Sequence, residues 1–520
     1  MKTTAIIYIT LLILGTKAQF LRFLQSSKNS YDYSSYSSTS TNENLSGKTL
    51  SSTTSDQSVV YVTKSGITIN NSNLNKESGD SSKTENSEFY GVNAAVLVNG
   101  GGLTMTGGTI TTKAKGANAI VATNNGNVKI IGTEITSTGS GSARGLHSTF
   151  GGKIEATNVK ISTQGGSCAT LATDRGEGSV TCTECTLSTA GAGSPLIYST
   201  GVISVTKTTG TSTGAQAVVV EGKNTASVLE ESELNCYGIG NREVSGSKVD
   251  NCGIMLYQSM SGDAASGTST FNCKASTITI DEKSSLYSSA PMFFITNTDA
   301  VINLEGCTFT YGSSIFLDTK GTSAWGTTGT NGGVVTLNLK NQNVVGNFVV
   351  DSSSGLTIKL ESSTITGTIN TLKSGAKVAI SMDANSKITL TGNSYYTSLT
   401  NADTANSNII KGSYTFEQYS ESEISRPTGG SGGGDGGQGG QGGTGGNGSD
   451  RPEKPPGEEG SDGPGGPGGN GSDRPEKPPG ENGSDNGDGG DDDENEDESG
   501  ASGFNNFMKV VLSLIFVLIL

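Results

Sequence analysis

The chain reads as an all-β solenoid, a stack of short strands wound into successive coils. Three observations predict it. The apolar markers Ile110, Ile135, Ile161 and Leu187 recur 25, 26 and 26 residues apart, a period that belongs to stacked repeats. Around them lie short strands that alternate apolar and polar, such as Val96–Val98, Leu103–Thr106 and Thr109–Thr111, so each buries one face. Glycine and asparagine cluster between strands, as in Gly100–Gly102, Asn124–Gly126 and Gly151-Gly152, where tight corners need positive φ. β-branched Thr, Val and Ile fill the strands, and helical periodicity is nearly absent. Three strands and three corners close one coil. Hydrogen bonding of each coil to the next stacks the inward Val, Ile and Leu into ladders, because no coil can bury its apolar face alone.

The elements follow in order. Met1–Ala18 opens with Lys2, runs apolar from Ala5 to Leu14 and closes on Thr16-Lys17-Ala18, the layout of a secretory signal peptide. Its apolar run is too short for a bilayer, which takes about 20 residues. Residues 19–58 are rich in Ser, Thr, Tyr and Asn and poor in apolar residues, which predicts a disordered or capping segment. Residues 59–396 carry the strand repeat. Its later coils include Ala300–Leu304 with Thr308–Thr310, Gly355–Leu360 with Thr364–Thr366, and Val378–Met382 with Ile388–Leu390. The expected stack has about twelve coils, roughly 55–60 Å long at ~4.8 Å per coil. Residues 397–425, with Tyr414, Phe416 and Tyr419, are expected to cap the open end, which would otherwise template aggregation.

Residues 426–503 cannot bury a core. They are rich in Gly, Pro and acid, and Gly448–Glu458 recurs as Gly471–Glu481, so a disordered stalk is expected. Residues 504–520 are apolar with Lys509 as their one charge, and the small residues Ser499–Gly503 precede them. This is the layout of a glycosylphosphatidylinositol (GPI) attachment signal, with Ser499 or Gly500 as the lipid attachment residue. Together the terminal signals predict a lipid-anchored protein on the outer face of the plasma membrane.

The net charge of −15 is concentrated. From Gly429 to Gly503 there are 18 Asp and Glu against Arg451, Lys454, Arg474 and Lys477, which leaves the rest of the chain nearly neutral. A neutral body on an acidic stalk lacks the basic face that nucleic-acid binding requires. The seven cysteines are too sparse to staple a scaffold, and an odd number leaves at least one without an internal partner. They read as buried small hydrophobes with one or two bridges.

The strand pattern resembles the right-handed parallel β-helix repeat family, the pectin-lyase-like superfold, over residues 59–396. The resemblance implies a right-handed winding. The superfold includes polysaccharide lyases and glycoside hydrolases, so an enzyme is the rival to weigh. Asn297-Thr298-Asp299 matches a motif of the polygalacturonase-type hydrolases, but their paired Asp-Asp, Gly-His-Gly and Arg-x-Lys have no counterpart here. The one aspartate run, Asp491–Asp493, is in the stalk, and the one histidine, His147, follows Gly145-Leu146. Glycoside hydrolysis needs two carboxylates facing across the bond, and the strands carry few acids. The lyase chemistry of the superfold implies calcium-binding aspartates and an arginine base, for which Asp174-Arg175 is too little. His147 reads as a surface histidine. No catalytic residue, metal or cofactor is expected.

Asn44, Asn70, Asn447, Asn470 and Asn482 lie in N-glycosylation sequons. Long connections at residues 235–253, 281–291 and 319–333 bring Tyr257, Tyr287 and the single tryptophan, Trp325, to one half of the rod. These three are the candidate ligand contacts, since binding concentrates in loops on rigid scaffolds and aromatic faces suit sugar rings. The plain alternative is an ordinary loop with Trp325 tucked against the rod. The expected function is non-enzymatic: adhesion, surface coat or ligand display, with glycans or surface proteins as partners and room for self-association. A tethered polysaccharide lyase or glycoside hydrolase is the alternative.

Overall fold

A computed structural model describes residues 31–259, 261 and 264–424. The segments read as a signal peptide, a stalk and a lipid-attachment signal, with Ser499, Gly500, Asn447, Asn470 and Asn482, lie outside the described residues. Within them the short alternating strands wind into a parallel β-helix. The first sheet has twelve strands from Ser38–Thr41 to Asn347–Val350, and the second has fourteen from Leu45–Ser46 to Ser398–Asn401. The third has ten from Thr49–Ser52 to Thr308–Thr310, and a four-stranded sheet from Asn343–Val345 to Ile409–Ile410 follows it.

Within these sheets each strand pairs in parallel with its equivalent one coil on; the hairpin Glu243–Val244 and Ser247–Lys248, in a long loop, is antiparallel. The sequence markers are direct partners: Ile110 opposes Ile135, Ile135 opposes Ile161, and Ile161 opposes Leu187. In the second sheet one inward column runs Leu103, Val128, Ile154, Val180, Ile203, Ala226, Phe271, Ile302, Leu337 and Ile358. All of these are buried. Stacking therefore supplies the core that a single coil cannot.

The interior is not wholly apolar, because corners leave backbone N–H groups that must be satisfied. Side-chain oxygens one coil on accept them. The N–H of Cys185 donates to Thr208 Oγ1 (3.3 Å), that of Thr208 to Ser232 Oγ (3.2 Å), and that of Ser232 to Ser276 Oγ (3.3 Å). The column resumes with Cys307 to Gln342 (2.8 Å), Gln342 to Ser363 (3.0 Å) and Ser363 to Ser386 (3.1 Å). The Ser/Thr richness of the chain thus serves the interior as well as the surface.

Three features differ from the sequence expectation. The stack starts at Ser38, inside the segment read as disordered or capping, because Ser and Thr suffice for strands when the next coil covers them. It also continues through Ser398–Asn401, Ile409–Ile410 and Phe416–Gln418, inside the segment read as a cap, so the longest sheet holds fourteen strands rather than about twelve. A helix, Thr84–Tyr90, is inserted between coils and ends at Gly91 with φ 71°. Among the cysteines, Cys273 and Cys307 form a disulfide, and the other five are buried thiols.

Candidate functional site

Outward residues of a solenoid strand normally meet water, yet one outward column of the first sheet is apolar. It runs Tyr61, Leu97, Val121, His147, Ala172, Tyr198, Val219, Met255 and Phe294. Three covers lie on it. Tyr33 and Tyr36 pack over Tyr61, Leu97 and Val121. The helix Thr84–Tyr90 sits beside His147, whose Nε2 is 2.6 Å from the Glu88 backbone oxygen. Cys252 and Trp325 pack with Val219, Met255 and Phe294. Where the covers part, a cavity of about 260 Å³ opens, bordered by Glu88 and Arg144, by Tyr198, Tyr257 and Trp325, and by Asp250 on the long loop.

The helix side of the cavity is held by charge. Arg144 Nη1 donates to Asp174 Oδ2 at 3.0 Å, and both side chains are buried. Burial opposes the guanidinium charge, but Asp174, Glu88 and Tyr198 outweigh it and raise the Arg144 pKa. Arg175 lies 3.8 Å over the Phe89 ring, and Tyr90 stacks on Phe150 at 5.7 Å, which pins the helix.

His147 is not at the surface as expected; it is fully buried. Burial, and then the neighbouring Arg144 charge, lower its pKa to about 3, so the imidazole stays neutral. The sequence misled because His147 occupies an outward register position, and only the overlying helix buries it.

On the opposite side stands an aromatic group. Tyr257 and Trp325 meet edge to face with ring centroids 5.2 Å apart. Tyr198 and Tyr257, from strands two coils apart, both donate to Glu221 Oε2, at 2.6 and 2.7 Å. Burial, and then the Glu221 charge, push both phenols well above their ordinary pKa, which keeps them as donors. Glu221 is 2 % exposed, and its Oε1 has no hydrogen-bond partner. A buried carboxylate oxygen without a donor is costly.

The loop side is self-contained. Asp250 accepts from the N–H groups of Asn241 (3.1 Å) and Arg242 (3.0 Å), and Gln216 Nε2 donates to the Asp250 backbone oxygen (2.7 Å). Burial raises the Asp250 pKa. The Trp325 loop is tied by Asn331, whose amide nitrogen donates to the carbonyl oxygens of Thr322 and Trp325, and by Gly321 N–H to Asp351 Oδ2 at 2.9 Å.

The structure brings together two of the three candidate contacts, Trp325 and Tyr257. Trp325 is tucked in, 9 % exposed, and forms part of the cavity wall. Tyr287 is not there: it packs against the main core, and its backbone oxygen accepts from Gly312 N–H at 3.1 Å. Arg144, Tyr198, Glu221, Glu88 and Asp250 escaped the sequence reading. The signal that would have found Tyr198 and Glu221 is their place as a phenol and a carboxylate in the strands Ile197–Ser199 and Val218–Glu221, whose other residues are aliphatic or small. Asn297-Thr298-Asp299 does not border the cavity. Asn44 and Asn70 are exposed on the first two coils, and Asn44 Oδ1 accepts from Thr68 N–H at 2.8 Å.

No family model, curated protein or solved structure matches the chain.

Proposed function

We propose that this chain is a non-enzymatic cell-surface protein that displays a ligand pocket on a rigid β-helical rod, for adhesion or ligand capture. The observation that carries the reading is the cavity bounded by Tyr198, Tyr257 and Trp325 on an outer sheet face that is otherwise covered. Concave aromatic sites with a few fixed polar groups are the usual form of small-ligand sites. The leader-like residues 1–18 and the tail-like residues 499–520 support delivery to the outer leaflet, with sequons at Asn44 and Asn70 on the exposed first coils.

The pectin-lyase-like resemblance keeps carbohydrate cleavage as the rival. That chemistry needs a carboxylate pair able to reach a glycosidic bond. Here Asp174 is engaged by Arg144 and Glu221 by two tyrosines; of the carboxylates that border the cavity, Asp250 is engaged by two backbone N–H groups and Glu88 accepts from Ser142, which favours binding over cleavage. The test is to probe arrays of glycans and surface glycoproteins with the full-length secreted protein and its Trp325→Ala and Tyr257→Ala variants. The reading expects a ligand whose capture both variants lose. Capture that ignores both substitutions, or a shortened glycan product, would overturn it.

A further inference from the structure

We infer that the cavity takes a small organic ammonium group, held against the Tyr257 and Trp325 rings with Glu221 as its counter-charge. The inference rests on the pocket reading above and names its ligand chemistry.

Four observations lead there. The cavity is small: about 260 Å³ is below the ~300–1,000 Å³ of drug-sized sites. That fits a head group better than an oligosaccharide. Its charge is negative. Arg144 is neutralised by Asp174, while Glu88 and Asp250 border the cavity and Glu221 lies behind two of its rings. An acidic sugar ring or inorganic phosphate seated among the rings would meet carboxylates, and the one cation among the described residues bordering the cavity, Arg144, is paired with Asp174; the phosphate of phosphocholine stays outside, in water.

The third observation concerns polar capacity. The polar groups are largely spent on the fold: Arg144 on Asp174, Gln216 Nε2 on Asp250, and Asp250 on two backbone N–H groups. Of the buried side-chain atoms around the rings, the one without a partner is an acceptor, Oε1 of Glu221, while the exposed Ser167 and Asn241 stand at the rim. A neutral sugar needs donors and acceptors in comparable number. An ammonium group needs negative charge and aromatic faces; Arg144 already lies over the Tyr198 ring at 5.9 Å, which leaves the Tyr257 and Trp325 rings to meet the ligand. The fourth observation is the rings themselves. Tyr198 and Tyr257 converge on one carboxylate oxygen, and Trp325 meets Tyr257 edge to face. Aromatic faces attract a desolvated cation. The same chemistry is offered by soluble choline-type compounds and by choline lipid head groups.

The single tryptophan makes the test direct, since Trp325 fluorescence reports the cavity alone. The full-length secreted protein is titrated with tetramethylammonium chloride against matched sodium chloride. Phosphocholine, N-acetylglucosamine and the uncharged choline isostere 3,3-dimethyl-1-butanol are titrated in parallel. The inference expects a saturable change with tetramethylammonium and phosphocholine and none with the sugar. It expects at least tenfold weaker binding for the isostere and for tetramethylammonium with Glu221→Gln. That variant keeps the side-chain shape and can still accept from both tyrosines.

Equal binding of the isostere, an unaffected Glu221→Gln, or no saturable change up to about 0.1 M would overturn the inference. If array capture depends on Trp325 while the ammonium titration is silent, the pocket reading stands and the ammonium chemistry falls. If tetramethylammonium binds but array capture ignores Trp325, the chemistry stands and the proposed function falls. Co-sedimentation with phosphatidylcholine vesicles, but not phosphatidylglycerol vesicles, identifies the lipid head group as the source. Phosphocholine binding without co-sedimentation identifies a soluble ligand.

Discussion

Two adjacent glycines, Gly165 and Gly166, make opposite predictions for the same substitution. Gly139, Gly165 and Gly191 occupy equivalent corners of successive coils, where backbone passes directly over backbone. A Cβ on Gly165 would stand 1.9 Å from the carbonyl oxygen of Gly139 and 2.7 Å from its carbonyl carbon. A Cβ on Gly191 would stand 1.8 Å from the carbonyl oxygen of Gly165. Real Cβ atoms do not approach this closely, so coils stacked ~4.8 Å apart would have to spread. Neither Gly165 nor Gly166 has positive φ, so alanine is allowed by the local backbone at both. At Gly166 the nearest atom to a Cβ is the Ala192 carbonyl oxygen at 3.4 Å, an ordinary contact.

Unfolded-state entropy alone stabilises Gly→Ala by about 0.4–1 kcal/mol where the conformation is compatible. Overpacking costs about 1–3 kcal/mol, occasionally more. Gly165→Ala should therefore lower the urea midpoint, and Gly166→Ala should leave it unchanged or raise it. Circular dichroism at the strand minimum, with the slope checked for constancy, reads both. A Gly165→Ala protein as stable as wild type would refute the argument that inter-coil contact, rather than backbone conformation, selects glycine there.

Other expectations follow from the same structure. The Cys273–Cys307 bridge closes a loop with a sequence separation of 34, for which chain entropy gives about 4 kcal/mol. Cys273→Ser and Cys307→Ser should each lower the urea midpoint by a similar amount, with the double variant no worse than either. Arg144→Met removes the buried ion-pair partner of Asp174, which keeps its Arg175 N–H hydrogen bond, and should cost about 3 kcal/mol. The double change with Asp174→Asn should recover part of that loss in the same assay. Lys76 is fully buried, and burial lowers its ammonium pKa to about 8 from 10.5 despite the opposing charges of Asp56 and Asp80. Between those values the unfolded chain binds more protons, so the Lys76 contribution to stability rises with pH through that window. The difference in urea midpoint between wild type and Lys76→Met should therefore shift in favour of wild type from pH 7 to 9.5, and a constant difference would contradict it. Phosphatidylinositol-specific phospholipase C should release the protein from intact cells, as followed by blotting, and recovery of an intact 504–520 peptide would refute the lipid anchor.

The ladder was legible because its signal is local and periodic. Ile110, Ile135, Ile161 and Leu187 are nearly evenly spaced in sequence and are direct partners in the third sheet. Beyond Leu187 the spacing fails. Its next partners are Gly210, Leu234, Ile278 and Phe309, and the step from Leu234 to Ile278 carries the long loop and its Asp250. Glycine at position 210 removes the apolar marker altogether, and the Leu196 side chain comes within 2.7 Å of where a Cβ would stand. A reader of the sequence loses register where the candidate site begins.

The sequence by itself determined the fold class, the inward ladders and the tight corners, because strand alternation and corner glycine are decided within a few residues. It also placed Tyr257 and Trp325 in the same half of the rod. Only the tertiary structure decided that an outward column would be covered, that His147 would be buried beneath a helix, and that Tyr198, Glu221 and Tyr257 would share one hydrogen-bonded group. The physical reason is that coil stacking turns distant positions into neighbours ~4.8 Å apart, and which positions meet depends on the lengths of all the loops between them.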